Sequence, residues 1–159
     1  MPKTLIVNNT PYQYPKSGDE PGWGGEATGW AEAVTNVLSD LLGPNDILET
    51  AFNVANNQAT FVDVTGCFFN AASVRAAEIT YSVSRSSTAT PSGKVETGTI
   101  QLIYDGGAPG WSISQGNILG DAGVQFQITS GGQLQYKSSN ISALNYVGTM
   151  KFRAKTLQQ

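Results

Sequence analysis

Two aspartates sit where a pair of carboxylates could work as acid and base: Asp105 in YDGG and Asp121 in GDAG. A glycosidase needs such a pair flanking the scissile bond. Both precede glycine at a turn, however, and an Asp there is what backbone geometry asks for without any catalysis. Cys67, in GCFFN, is the one cysteine of the chain. Beside Phe68 and Phe69 it reads as a small buried hydrophobe rather than a nucleophile. Histidine is absent, which removes Ser-His-Asp and Cys-His catalysis and the commonest metal ligand. Asp19, Glu20 and Asp46 could contribute to a weak calcium site, but no EF-hand or comparable ligand spacing is present. Glycine-rich GWGG lacks a phosphate-loop context. The residues therefore predict no catalytic site, no metal and no cofactor.

Two further features could bind. Lys151, Arg153 and Lys155 alternate, so they share one face of a strand, where they would meet an acidic partner or guard a sheet edge. Trp111 could stack on a sugar ring, although its place in an alternating strand favours the core. The chain has 159 residues and a net charge of −3, with an isoelectric point near 4.8. An acidic chain without a basic field predicts no nucleic-acid partner. Charged residues make up 13%, about half the usual share, and Gly, Ser, Thr, Asn and Gln replace them. That balance favours turns and polar strand faces over charged helices. One cysteine makes no intrachain disulfide. The apolar run in MPKTLIVNNT is too short for a signal peptide or a membrane span, so no membrane partner is expected and the cytoplasm is the expected folding compartment.

The elements that would carry these residues divide near residue 45. Residues 1–27 read as an extended arm. A short strand-like run at Thr4 to Val7 leads into a segment where Pro11, Pro15, Pro21 and several glycines oppose a regular ladder. The arm carries Tyr12, Tyr14 and Trp23, aromatics that need a surface to lie on. It either folds back on its own domain or docks on a neighbouring subunit. Residues 28–45 read as an amphipathic helix and turn, with Thr28 as N-cap and Gly43-Pro44 as the stop. Trp30, Val34, Val37, Leu38 and Leu41 form its apolar stripe, with Glu32, Asn36 and Asp40 outside it. A helix of about thirteen residues is marginal alone, so the stripe must pack on the domain's sheet or on its own copy about a symmetry axis.

From residue 46 to 159 the period changes to two. Ile79, Tyr81 and Val83 face one way in AAEITYSVSR, with Glu78, Thr80, Ser82 and Ser84 opposite. Ser86 to Gly93 reads as a loop. Ile100, Leu102 and Tyr104 point inward, as do Trp111 and Ile113. Val124, Phe126 and Ile128 face Leu134 and Tyr136 across a Ser-Gly-Gly turn. Met150, Phe152 and Ala154 close the set. Short strands with turns about every ten residues predict a mainly β fold, a β-sandwich or jelly-roll-like domain.

The phrases YSVSRSS, TGTIQLIYDG, WSISQGNILGDAGVQFQITSGGQLQYKSSNI and YVGTMKFRAKTL resemble, in that order, a β-domain of tailed-bacteriophage virion structural proteins. PYQYPKSGDEPGWGGEATGWAEAVTNVL is similar to the N-terminal part of phage fibre-type and head-surface proteins. Together they span about residues 5 to 157. The resemblance implies a non-enzymatic virion component, a homotrimer, made in the host cytoplasm and displayed on the virion surface. Its partner would be the major capsid protein or another virion structural protein. A compact domain with one arm favours a capsid decoration (cement) protein over a head- or tail-fibre base or adaptor. A module that binds a host surface glycan is the reading from another class. The expected interface comprises Tyr12, Tyr14, Trp23, Trp30, Val34, Leu38 and Leu41.

Overall fold

The computed structural model describes residues 3–7, 10–14, 23–41, 43–88, 90–107, 110–141 and 144–159. Its internal contacts divide the chain into two units, Met1–Pro44 and Asn45–Gln159.

The first unit is more regular than an extended arm. Strands β1 (Lys3–Val7) and β2 (Thr10–Tyr14) pair antiparallel as a hairpin. Two residues, Asn8 and Asn9, separate them in sequence. Pro11 enters β2 without breaking it, opposite Ile6. In a two-stranded ribbon every strand is an edge, so a missing donor can face outward. Helix α1 runs from Trp23 to Leu41 and lies against β2. It therefore starts five residues before Thr28, which sits inside the helix and not at its N-cap. Gly24 and Gly25 each cost about 1 kcal/mol against alanine in a helix, a penalty that the alanine-rich turns behind them and the packing on β2 offset.

The second unit is a β-sandwich. Its larger sheet has the order β3 (Ile47–Asn53), β10 (Val147–Gln158), β5 (Val74–Ser87), β6 (Thr90–Tyr104), β7 (Trp111–Gly120). The smaller has the order β4 (Val62–Phe68), β9 (Gln133–Ser138), β8 (Val124–Ile128). All described pairs are antiparallel. β5 alternates buried and exposed along most of its length, with Ile79, Tyr81 and Val83 inside and Glu78, Thr80, Ser82 and Ser84 outside. The inner faces merge into one core. Ile79, Tyr81, Ile100, Met150 and Phe152 of the larger sheet meet Val64, Phe126, Leu134 and Tyr136 of the smaller. Edge-to-face ring pairs join the layers, Tyr81 with Phe126 at 5.1 Å and Phe52 with Tyr136 at 5.2 Å. Each such side chain contributes about 1.5–3 kcal/mol through burial.

Most of the segment Ser86 to Gly93 is strand rather than loop, with β5 running through Ser87 and β6 beginning at Thr90. β5 and β6 continue pairing as far as Ser87 with Thr90, and Gly93 takes a φ of 70° where the register shifts. Serine and threonine are strand-compatible once a partner strand is present.

Candidate functional site: turn carboxylates, a buried clamp and an open sheet face

Each candidate acid has a structural task. Asp105 Oδ1 accepts the Gly107 N–H at 2.8 Å, and Asp121 Oδ1 accepts the Gly123 N–H at 2.7 Å. Each is a local Asx turn. Asp46 accepts from Lys155 Nζ at 2.7 Å, from the Thr156 N–H at 2.7 Å and from Thr156 Oγ1 at 3.1 Å. Its side chain is 6% exposed, so it fastens β10 to the start of β3. Asp19 and Glu20 lie outside the described residues. Among the described residues no group of three or more acids or cysteines is placed to hold a metal ion.

Cys67 is fully buried. Burial pushes its thiol up to about 12, so no thiolate forms at neutral pH.

Sequence reasoning missed the polar centre of the sandwich. Arg85 is fully buried. Its Nη1 donates to the Ala122 carbonyl at 2.6 Å, its Nη2 to the Ser139 carbonyl at 2.5 Å and to Asn56 Oδ1 at 3.1 Å, and its Nε to Tyr146 Oη at 3.0 Å. Glu96, 8% exposed, accepts the Ala122 N–H at 2.9 Å and the Tyr81 hydroxyl at 2.7 Å. Burial, and then Glu96, push the Tyr81 phenol upward. Two buried ionic side chains thus hold the turn between β7 and β8. The signal was present in the period: Arg85 follows Ile79, Tyr81 and Val83 at spacing two, and Glu96 precedes Ile100 and Leu102 at even spacing. Buried charges are expensive unless hydrogen-bonded, and here the bonds go to backbone, amide and hydroxyl groups. The arrangement fixes loops. It places no group for proton transfer to a substrate.

The exposed face of the larger sheet is polar in the middle and apolar at its ends. Lys151 and Lys155 meet acids from the β3 side, at 3.4 Å to Glu49 and 2.7 Å to Asp46. Arg153, opposite Thr80, is the member of the basic row that has no ion pair among the described residues. At one end Leu157, Ala76, Ile103 and Ser112 cross four strands and line a shallow groove of about 590 Å³. At the other end Val95 and Leu119 stand exposed.

Trp111 is core. It is 4% exposed and packs between Phe69 and Tyr104, with centroids at 6.2 and 5.3 Å, so its ring offers no face to a sugar. Its indole N–H is buried with no hydrogen-bond partner among the described residues.

The residues expected at an interface lie in the first unit. Tyr12 and Tyr14 fall on β2, and Trp23 and Leu41 at the two ends of α1; their side chains lie outside what the structure describes. Trp30, Val34 and Val37 are half-buried, whereas Leu38 is 53% exposed on the same stripe. Glu32 and Asn36 face solvent. Among the described residues no helix is long and apolar enough to cross a membrane.

No protein-family model matches the chain, and no curated protein matches it. Among solved structures, the tailspike protein of the Acinetobacter phage vB_ApiP_P1 superposes with a TM-score of 0.39 and 15% sequence identity, over 71% of this chain and 20% of that one.

Proposed function

We propose that the chain is a non-enzymatic structural component of a tailed-phage virion, a capsid decoration (cement) protein whose first unit docks on neighbouring capsid subunits. The observation that carries the reading is the first unit itself. It comprises 44 residues without a cysteine, a size at which a core alone gives little stability and association usually supplies the rest. Its helix presents Leu38 exposed on an apolar stripe, as a docking element does. The sandwich supports the same reading from the other side. Its turn acids and its cysteine are committed to structure, which leaves shape and polar surface as its contribution. Many weak contacts per particle then add up through multivalency. A fibre base or adaptor would use the same surfaces at another place in the particle. The glycan-binding alternative loses Trp111, its best stacking candidate.

The test is co-sedimentation of the purified chain with phage heads that lack it. The full chain should pellet with heads, whereas residues 45–159 alone should stay in the supernatant while keeping their β circular dichroism. Binding of residues 45–159 as tight as that of the full chain would overturn the role given to the first unit.

A further inference from the structure

The two edges of the larger sheet differ. β3 is seven residues long, carries Glu49 exposed, and slips register against β10 between Phe152 and Ala154. Short length, charge and irregular register are the usual guards of an open edge. β7 runs ten residues, WSISQGNILG, with neither a charge nor a proline. No strand among the described residues pairs on its far side.

Its end is apolar on both faces. Between the pairs Thr99–Gly116 and Thr97–Leu119 β7 gains one residue over β6, and Asn117 takes a φ of 50° there. The bulge resets the alternation, so Ile118 falls on the face of Trp111 and Ile113 while Leu119 falls on the opposite one. Ile118 is 51% and Leu119 75% exposed, and Val95 nearby on β6 is 61% exposed. A row of open backbone donors and acceptors flanked by apolar groups on both faces is what an added strand would bury.

We propose that β7 pairs antiparallel with β7 of a second copy of this chain, joining two five-stranded sheets across a two-fold axis. The strand itself identifies the occupant. An uncharged edge meets its own copy with no like charges opposed. Antiparallel pairing of identical strands is the isologous geometry of a two-fold dimer. Pairing centred on Gln115, with Asn117 of each copy as the extra residue of the bulge, sets Ile113 of each copy opposite Ile118 of the other, on the same face. The inference does not depend on any place in a virion, and it is a contact distinct from the three-fold assembly that the sequence resemblance implies.

The test is the solution mass of the full chain by light scattering after size exclusion, beside Ile118→Lys/Leu119→Lys and the control Leu157→Lys. Leu157 is 70% exposed on β10, which is not adjacent to β7. The wild type and the control should run as an even number of chains. The double variant should run at half that mass, with association at least ~tenfold weaker. Circular dichroism checks that it folds; should it not, Leu119→Ser replaces it and must weaken association in the same direction. A wild-type mass of one or three chains, or association unchanged in the variant, overturns the proposal.

Discussion

Arg85 and Glu96 grip one residue from its two sides: Arg85 Nη1 donates to the Ala122 carbonyl and Glu96 accepts the Ala122 N–H. Neither has to reach the other, because Ala122 lies between them. Removing either leaves buried backbone groups unpaired, which is where large destabilisations arise. Arg85→Ala should lower unfolding stability by about 3–5 kcal/mol, read by urea titration. Arg85→Lys should recover little, since an ammonium cannot span Ala122, Ser139 and Asn56 at once. Stability within about 0.5 kcal/mol of wild type for Arg85→Ala would refute the clamp.

Tyr81→Phe removes the hydroxyl donated to Glu96 and should cost about 1–2 kcal/mol. Glu96→Gln should cost a similar amount. The double variant should cost less than the sum, because the two share one hydrogen bond. Additive losses in the cycle would show that the contact contributes nothing.

The thiol predicts an alkaline limit. Cys67 goes from 9.0 to about 12 on folding, so the folded state favours the protonated form. Its contribution is intact below pH 9 and is lost as pH rises from there through about 12. The Tyr81 phenol, also raised, acts in the same direction. Thermal melting should therefore fall above pH 9, and less steeply in Cys67→Ala than in wild type. At neutral pH the native thiol should resist a thiol-specific reagent that labels the unfolded chain at once. Rapid labelling of the native protein would contradict the burial.

Two ion pairs on the same strand should behave differently. Lys151 and Glu49 are 61% and 68% exposed, and Lys151→Ala should change stability by less than about 0.5 kcal/mol. Asp46 also accepts two hydrogen bonds from Thr156, so Asp46→Ala should cost about 2–3 kcal/mol. Equal effects would mean that Asp46 acts only as a surface charge.

The strand faces were legible because alternation is a local property: Met150, Phe152 and Ala154 are buried as their spacing requires. What alternation cannot carry is partner choice. β10 lies between β3 and β5, about a hundred and about seventy residues away in sequence, and no local signal names either. The same blindness turned Ser86–Gly93 into a loop, since Ser and Thr are strand formers only when another strand accepts them. Arg85 and Glu96 were hidden by habit, since charged residues are expected outside even when their register points in. In the first unit, Pro11 and paired glycines outweighed a hairpin of two five-residue strands and an early helix start. Of the residues expected at an interface, Leu38 is exposed and Trp30 and Val34 are half-buried.

The central claim is that this chain works by being built into a particle. Quantitative mass spectrometry of gradient-purified virions tests it most directly. The account predicts the chain at a fixed, high copy number relative to the major capsid protein, and its loss from particles when residues 1–44 are deleted. Its absence from purified virions, with the protein abundant in the infected lysate, would contradict the account.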